Sequence, residues 1–277
     1  MVNKRIREKF AFFILNFTAF ITVGILFIIV GYILVNGLRY VSLDFLLNEP
    51  ERMGKEGGIF SVIISTIYLV FFSIIIAAPI GIFAAIYLNE YAKKNKFLGI
   101  IRYGTEILAG IPSIIFGLFG FVFFVVLLGF RWSILSGALT LAMMILPTII
   151  RTSEESIKSI PFTYREGSYA LGATKWQTIY KVIIPTALPG IVTGIILSIG
   201  RAIGETAAVL LTAGSALGVP KSIFDPARSM SVHLYILASE GLSKQNTFAT
   251  ATVLIIVVLL INFIANIILN RFNRRFI

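Results

Sequence analysis

Residues 57–88 read GGIFSVIISTIYLVFFSIIIAAPIGIFAAIYL and contain no charged side chain. A helix needs roughly 20 consecutive apolar residues to cross the hydrocarbon core of a bilayer, so this stretch is long enough to do so with some tilt. Five other stretches of similar character lie at 11–35, 107–130, 132–150, 189–214 and 248–270. The sequence therefore predicts an all-α integral membrane protein with six transmembrane helices.

The composition of the chain supports this interpretation. Of the 277 residues, 57% are hydrophobic and 13% are charged, whereas soluble proteins have about 25% charged residues. The chain has no Cys and one His, which excludes disulfides, thiolate metal sites and multi-histidine metal sites. It also lacks a Gly-x4-Gly-Lys-Ser/Thr phosphate loop and a Gly-x-Ser-x-Gly nucleophile motif. We therefore expect no ATPase site, catalytic residue, metal or cofactor in this chain.

The Lys and Arg residues are distributed unevenly around the six stretches. If the N-terminus lies inside the cell, sixteen of them fall on the inner side, seven on the outer side, and Arg201 lies within a stretch. Because cytoplasmic loops carry the excess of Lys and Arg, both termini are predicted to be cytoplasmic in a multi-pass protein of the cell membrane. The net charge of +11 then indicates loops facing anionic lipid, not a nucleic-acid-binding surface. Stretch 11–35 is too long for a signal peptide, so we expect an uncleaved first span.

Segment 151–188 carries three pairs with capping-box spacing: Thr152 with Glu155, Thr163 with Glu166, and Thr174 with Gln177. Gly172 suits a left-handed helix end, and Pro185 suits a helix stop. The segment is therefore predicted to form helices 164–171 and 175–184. The apolar tip of this pair would be Tyr169, Ala170 and Leu171. Physics alone leaves open whether the pair lies on the lipid surface or docks into a partner.

Arg201 and Glu205 are the charged residues inside the stretch 189–214. A charge at the centre of a spanning helix costs about 2.5–3.5 kcal/mol on insertion scales, so such residues usually face a cavity or pair with one another. Their i, i+4 spacing places them on one helical face, where they can partly neutralise each other. They either lock this helix to a neighbour or form a polar patch on a substrate path, where the planar fork of Arg suits a tetrahedral oxyanion. Ser113 could face the same pore if Gly110-Ile-Pro breaks its helix within the membrane.

The longest segments on the predicted outer side are 36–56 and 215–247. They are the only outer surfaces large enough to receive another protein. His233 lies in the second of them, and we expect it at the surface of that segment or at an interface.

The order Glu166-Gly-Ser, three residues, Gly172, nine residues, Val182-Ile-Ile-Pro185 resembles the Glu-Ala-Ala loop of ABC importer permeases, with every spacing kept. Gly167 and Ser168 replace the two alanines, and the other departures exchange one apolar residue for another. In that family the loop seats in a groove of a separate ATPase subunit. The resemblance implies that coupling to an ATPase involves Glu166, Gly172, Tyr169, Ala170 and Leu171.

The run Gly200-Arg-Ala-Ile-Gly-Glu205-Thr-Ala-Ala resembles the phosphate-specific permeases of the PstA type. Arg-Ala-x-Gly-Glu also occurs in sulfate and molybdate permeases, so by itself it indicates only an oxyanion. Stretches 108–120, 169–178 and 225–240 narrow the resemblance to the PstA type, and the similarity extends over about residues 57–270. It implies the fold of a type I ABC importer permease. The candidate residues of the translocation path are then Arg201, Glu205 and Ser113.

The family also implies the other components of a transporter. They are a second, related permease that forms a heterodimer with this chain, two ATPase subunits that use ATP and Mg, and an extracytoplasmic phosphate-binding protein. The expected function is that of a permease subunit of an ATP-driven importer of inorganic phosphate. The alternatives are a sulfate or molybdate importer, a gradient-driven anion transporter and a membrane scaffold. The expected organisation is a tail, first helix and outer loop at 1–56, and a permease domain at 57–271 that contains the coupling loop 151–188.

Overall fold

The computed structural model describes residues 4–92 and 96–276, and long helices dominate this part of the chain. The elements are α1 (Lys4–Gly37), α2 (Leu43–Leu47), β1 (Pro50–Glu51), β2 (Glu56–Gly57), α3 (Phe60–Ile86), α4 (Lys96–Gly110), α5 (Ser113–Gly120), α6 (Ile134–Lys158), α7 (Thr163–Ala170), α8 (Lys175–Thr178), α9 (Ile184–Gly204), α10 (Ala207–Thr212), α11 (Met230–Ser239) and α12 (Lys244–Phe276). Within the described residues, five helical runs are long and apolar enough to cross a membrane, and the bent pair of α4 and α5 makes a sixth if it counts as one span. The predictions of an all-α membrane protein and of six spans are confirmed in this sense.

The core lies where α3 packs along α6. The buried face of α3 repeats every fourth residue, with Ser61, Ser65, Leu69, Ser73, Ala77, Gly81 and Ala85. In a bilayer, lipid is as apolar as a side chain, so close van der Waals packing holds the helices together more than apolar burial does. Small residues allow that approach, since a Cβ on Gly81 would lie only 2.7 Å from the Cγ2 atom of Ile149. The stretch 57–88 is thus a span with one face matched to α6.

The predicted third span, 107–130, is broken in the structure. α4 ends at Gly110, α5 begins at Ser113, and their directions differ by 100°. Pro112 explains the break, because proline has no N–H to donate and pushes the preceding residue out of the helical conformation. From the sequence, Ser113 could face a pore only if the helix breaks at Gly110-Ile-Pro. The structure contains that break.

The fifth span is longer than predicted at one end and broken at the other. Residues 175–204 form one helical run, so the predicted helix stop at Pro185 is wrong. A π turn, Ile179–Ile183, comes directly before α9. Proline clashes with the carbonyl four residues earlier in a regular helix, and the wider π turn relieves this contact. At the other end α9 stops at Gly204, and the chain leaves the helical conformation before α10 begins.

The end of the bundle opposite segment 151–188 contains α2, the β1–β2 hairpin and α11. His233 of α11 is fully buried there, so its predicted surface position is wrong. Its Nδ1 lies 3.5 Å from Nη1 of Arg228, and Nδ1 is the acceptor because a guanidinium only donates. Gly54, with φ of +95°, packs against the imidazole ring, where a side chain would not fit. Burial, and then the charge of Arg228, lower the pKa of His233 to about 4.

Acid is expected to destabilise this end of the protein. Because the pKa of folded His233 lies below its ordinary value of 6.5, the unfolded chain binds a proton first, and stability is lost as the pH falls from 6.5 to about 4. At a pH of about 4.5 the loss is about 2–3 kcal/mol. The thermal unfolding midpoint of the solubilised protein should therefore fall by several degrees on acidification from neutral pH. The fall should be smaller in His233→Gln, which cannot be protonated, and equal falls in the two proteins would contradict this expectation.

Candidate functional site

We call residues 159–178, which run from the end of α6 through α7 to α8, the first turn of the fifth span, the knob. Its longer helix, α7, contains no buried residue. Leu171 directly after α7 is 90% exposed, and Tyr169 and Ala170 are also exposed, so the end of the knob is apolar. Glu166 is exposed on the same helix, and in the described part of the chain no hydrogen bond or ion pair involves its carboxylate. The knob therefore presents outward an apolar tip and the carboxylate of Glu166, which is unpaired within the described residues.

Two of the predicted helix ends are confirmed. Gly172 follows α7 with φ of +80°, a left-handed conformation that side chains with a Cβ rarely adopt. Thr174 and Gln177 form the predicted capping box, in which the N–H of Gln177 donates to Oγ1 of Thr174 at 3.3 Å and the N–H of Thr174 donates to Oε1 of Gln177 at 2.8 Å. Together these residues turn the chain from α7 into the fifth span within a few residues.

The other two predicted capping boxes are wrong. Thr152 lies inside α6, which continues to Lys158, and its hydroxyl donates to the carbonyl of Thr148 at 2.8 Å. Thr163 is the first residue of α7, and the preceding cap, Phe162, makes no side-chain hydrogen bond. The spacing alone cannot specify a cap, because a Thr inside a helix can satisfy its hydroxyl on the preceding turn.

Beneath the knob lies a nearly buried ion pair that sequence reasoning missed. Nη2 and Nε of Arg165 donate to Oε1 of Glu90 at 2.7 and 3.2 Å, and the two side chains are only 11% and 7% exposed. Glu90 lies in a π turn, Tyr87–Tyr91, that extends α3. Arg165 also donates to the carbonyls of Ile160 at 3.2 Å and Ile157 at 3.4 Å. The partners are 75 residues apart, so no local spacing could have indicated them.

A second carboxylate, Glu154 of α6, lies near the same end of α6 and is held by two cations. Nε of Arg102 in α4 lies 2.8 Å and Nζ of Lys158 lies 2.6 Å from its Oε1. Nζ of Lys175, in α8, lies 4.6 Å from the centre of the Tyr91 ring, a cation–π contact. Charged side chains thus connect the middle of α4 with the end of α6, and the end of α3 with the base of the knob.

The residues predicted on the translocation path lie around the break between α9 and α10. Arg201 is half-buried in the last turn of α9, and among the described residues none makes a hydrogen bond or ion pair with it. The predicted i, i+4 pair with Glu205 does not form, because α9 ends at Gly204 and Glu205 is extended, with ψ of 124°. Oε1 of Glu205 instead accepts the N–H of Ala208 at 3.3 Å, and its carbonyl accepts the hydroxyl of Ser231 at 2.6 Å. Glu205 therefore stabilises the break, and the guanidinium of Arg201 has no partner among the residues that the structure describes.

Ser113 is half-buried at the start of α5, and α5 packs directly on α10. Gly117 packs against Ala208 and Gly120 packs against Thr212, where a Cβ on either glycine would lie 2.9 Å from an atom of α10. The later residue of α5 contacts the later residue of α10, so the two helices run in the same direction. The start of α5 therefore lies at the same level as the break before α10. Irregular backbone at membrane depth is tolerated where it is buried in protein or lines a water-filled cavity. The structure thus places Ser113 and Glu205 at the same level, beside two neighbouring breaks.

Comparison with known proteins gives several relatives of this chain. It is 34% identical over 280 residues to the probable ABC transporter permease protein YqgI of Bacillus subtilis, covering 95% of both chains. It is 35% identical over 219 residues to the phosphate transport system permease protein PstA 1 of Mycobacterium tuberculosis, covering 78% of this chain and 71% of the relative. It is 32% identical over 237 residues to PstA of Pasteurella multocida, covering 85% and 84%.

Solved structures share the fold at lower sequence identity. A bacterial alginate ABC transporter matches with a TM-score of 0.67 at 17% identity, covering 97% of this chain and 98% of that one. The MetNI methionine ABC transporter matches with a TM-score of 0.61 at 23% identity, covering 78% and 94%. The predicted fold of a type I ABC importer permease is confirmed. The family model for the inner membrane component of binding-protein-dependent transport systems matches residues 77–277. This chain, with its broken spanning helices and its exposed knob, belongs to that family of membrane components.

Proposed function

We propose that this chain is one of two permease subunits of an ATP-driven importer of inorganic phosphate. The observation that carries the proposal is the similarity to phosphate transport permeases over 78–85% of the chain. It is supported by a half-buried Arg inside an apolar span, since the guanidinium fork matches the oxygens of a tetrahedral anion.

The proposed translocation path runs past Arg201, Glu205 and Ser113. A charge that pairs with no protein group is costly in lipid, so Arg201 belongs in a water-filled cavity. In membrane transporters, interrupted helices near the midplane commonly form the substrate site. The carboxylate of Glu205 accepts the N–H of Ala208 at the start of α10 and would lie near the anion. Its negative charge would repel phosphate enough to keep the anion from binding too tightly to leave.

The proposed ATPase contact is the outer surface of the knob, with Glu166, Gly172, Tyr169, Ala170 and Leu171. An exposed apolar tip suits contact with a protein or with lipid, and the resemblance of this loop to the Glu-Ala-Ala loop favours the protein. ATP and Mg would bind to two separate ATPase subunits, and a second, related permease would complete the path. The knob and both termini would then lie in the cytoplasm, with the chain in the cell membrane. A phosphate-binding protein would dock at the opposite end, on segments 36–56 and 215–247, and no nucleic acid would take part.

The closest alternative is an importer of sulfate or molybdate, because the Arg-Ala-x-Gly-Glu run is shared among these permeases. The test is uptake of radiolabelled phosphate by the complete complex in lipid vesicles that contain ATP. We expect uptake that requires ATP and the binding protein, and that excess unlabelled phosphate suppresses, whereas sulfate and molybdate do not. Suppression by sulfate or molybdate would favour the alternative. Uptake that persists without ATP but follows an ion gradient would contradict both.

A further inference from the structure

Few side-chain interactions hold α7 against the spanning helices. It contains no buried residue, and Tyr164, Glu166 and Tyr169 are exposed on it. Its other face carries two polar side chains one turn apart, the nearly buried Arg165 and the half-buried Ser168. Polar contacts, and not apolar packing, therefore set the position of this helix.

Arg165 makes the polar contacts of α7 that reach beyond the knob. Its guanidinium donates through two nitrogen atoms to Glu90, in the π turn that extends α3, and also to the carbonyl of Ile157 in the last turn of α6. It donates as well to the carbonyl of Ile160, two residues after α6 ends. Ser168 forms its hydrogen bond within the knob. One side chain thus connects α7 with the ends of both helices of the core.

α3 and α6 lead from this ion pair to the broken helices. Gly81 of α3 packs on Ile149 of α6, and further along α6 the side chain of Thr140 packs against Gly120 of α5. α5 packs in turn on α10, beside the break at Glu205. If movement of α7 displaces α3 and α6, the displacement can reach the candidate path through helices that are in direct contact. Contact alone does not demonstrate energetic coupling, so the coupling has to be measured.

We propose that the Arg165–Glu90 ion pair passes movement of α7 to α3 and α6, and that both residues are positioning residues for coupled transport. This inference rests on the proposed docking of an ATPase at the tip of the knob. A nearly buried ion pair adds little net stability, because desolvation offsets the attraction between the charges. Its geometry is restrictive, since a planar guanidinium held by one carboxylate and two carbonyls keeps a single orientation. These properties suit transmission of movement better than they suit stabilisation.

The test measures ATP hydrolysed per phosphate imported by the complete complex in lipid vesicles. Glu90→Gln and Arg165→Lys each keep a hydrogen-bonding group but break the forked ion pair, so the complex should still assemble. We expect uptake to fall about tenfold while ATP hydrolysis stays within about twofold, which raises the ratio of ATP to phosphate at least about fivefold. The matched control is Arg151→Gln, which removes an exposed pair with Glu155 on α6 and should leave the ratio unchanged. Glu90→Asp keeps the charge and should raise the ratio less than Glu90→Gln does.

The double variant Glu90→Gln, Arg165→Lys should raise the ratio no more than either single variant, because residues that act as one unit are not additive. An unchanged ratio in both single variants would overturn the proposal, and so would additive rises in the double variant. Fewer assembled complexes with the wild-type ratio would indicate a structural role alone, and would also overturn it. If the proposed function itself is wrong, the wild-type complex will show no ATP-dependent phosphate uptake, which distinguishes the two failures.

Discussion

Replacing Arg201 with Gln is expected to abolish phosphate uptake while the chain still inserts and assembles. Gln removes a cation from an apolar span, so insertion should if anything improve. It also removes the two parallel charged donors that phosphate would meet there. Removal of one charge-stabilising donor costs an enzyme about 100-fold or more in rate, and a loss of that size is expected in vesicle uptake. Arg151→Gln, which changes an exposed Arg of α6, is the control for the loss of a positive charge.

The double variant Arg201→Gln, Glu205→Gln separates a substrate role from a lock between helices. If the two residues held helices together, two amides could hydrogen-bond to each other and much of the uptake should return. Arg201 and Glu205 do not pair in the structure. In the Glu205→Gln variant, the side-chain amide oxygen at this position can still accept the N–H of Ala208. We therefore expect the double variant to remain inactive, with the ATPase subunits still co-purifying. Recovered uptake would favour the structural lock.

Glu166→Lys and Gly172→Val are expected to uncouple transport without preventing insertion. Glu166 is exposed and free of partners in the described part of the chain. Replacing its negative charge with the positive charge of Lys therefore changes the charge of the proposed docking surface and little else. Gly172 has open space around its Cα, so Val is opposed by the φ of +80° and not by a clash. Strain of this kind costs about 1–3 kcal/mol, which is enough to reshape an exposed turn. We expect uptake to fall about tenfold or more in both variants.

The control for the knob is Gly167→Ala, in the helical part of α7. A Cβ there meets no other atom, and Ala is a better helix former than Gly, so uptake should stay near the wild-type value. Membrane levels and co-purification of ATPase subunits report whether a variant is inserted and whether it still docks. Normal uptake in both Glu166→Lys and Gly172→Val would remove the basis for assigning the knob to coupling.

Features specified by local chemistry could be predicted from the sequence. The length and composition of the uncharged stretch 57–88 predict a span. A glycine after a helix predicts a left-handed turn, because few other residues tolerate that conformation, and Gly172 adopts it. The break at Pro112 follows from a missing N–H, and the cap at Thr174 follows from two reciprocal hydrogen bonds with Gln177. Each of these needs information from only a few neighbouring residues.

Features that depend on distant parts of the chain could not be predicted in this way. Pro185 was expected to stop a helix, but the preceding π turn accommodates it, and a π turn has no clear sequence signature. The i, i+4 spacing of Arg201 and Glu205 holds only inside a continuous helix, and α9 ends between them. Glu90 could not be matched with Arg165, because only the packing of α3 against α6 brings them together.

We propose that this chain forms part of the path by which ATP hydrolysis moves phosphate across a membrane. The most direct measurement is phosphate uptake by vesicles that contain the second permease, the ATPase subunits and the binding protein, with and without this chain. We predict ATP-dependent uptake with the wild-type chain, and none when the chain is omitted or carries Arg201→Gln. Phosphate uptake at the wild-type rate without this chain, or with Arg201→Gln in its place, would rule out this role for the chain.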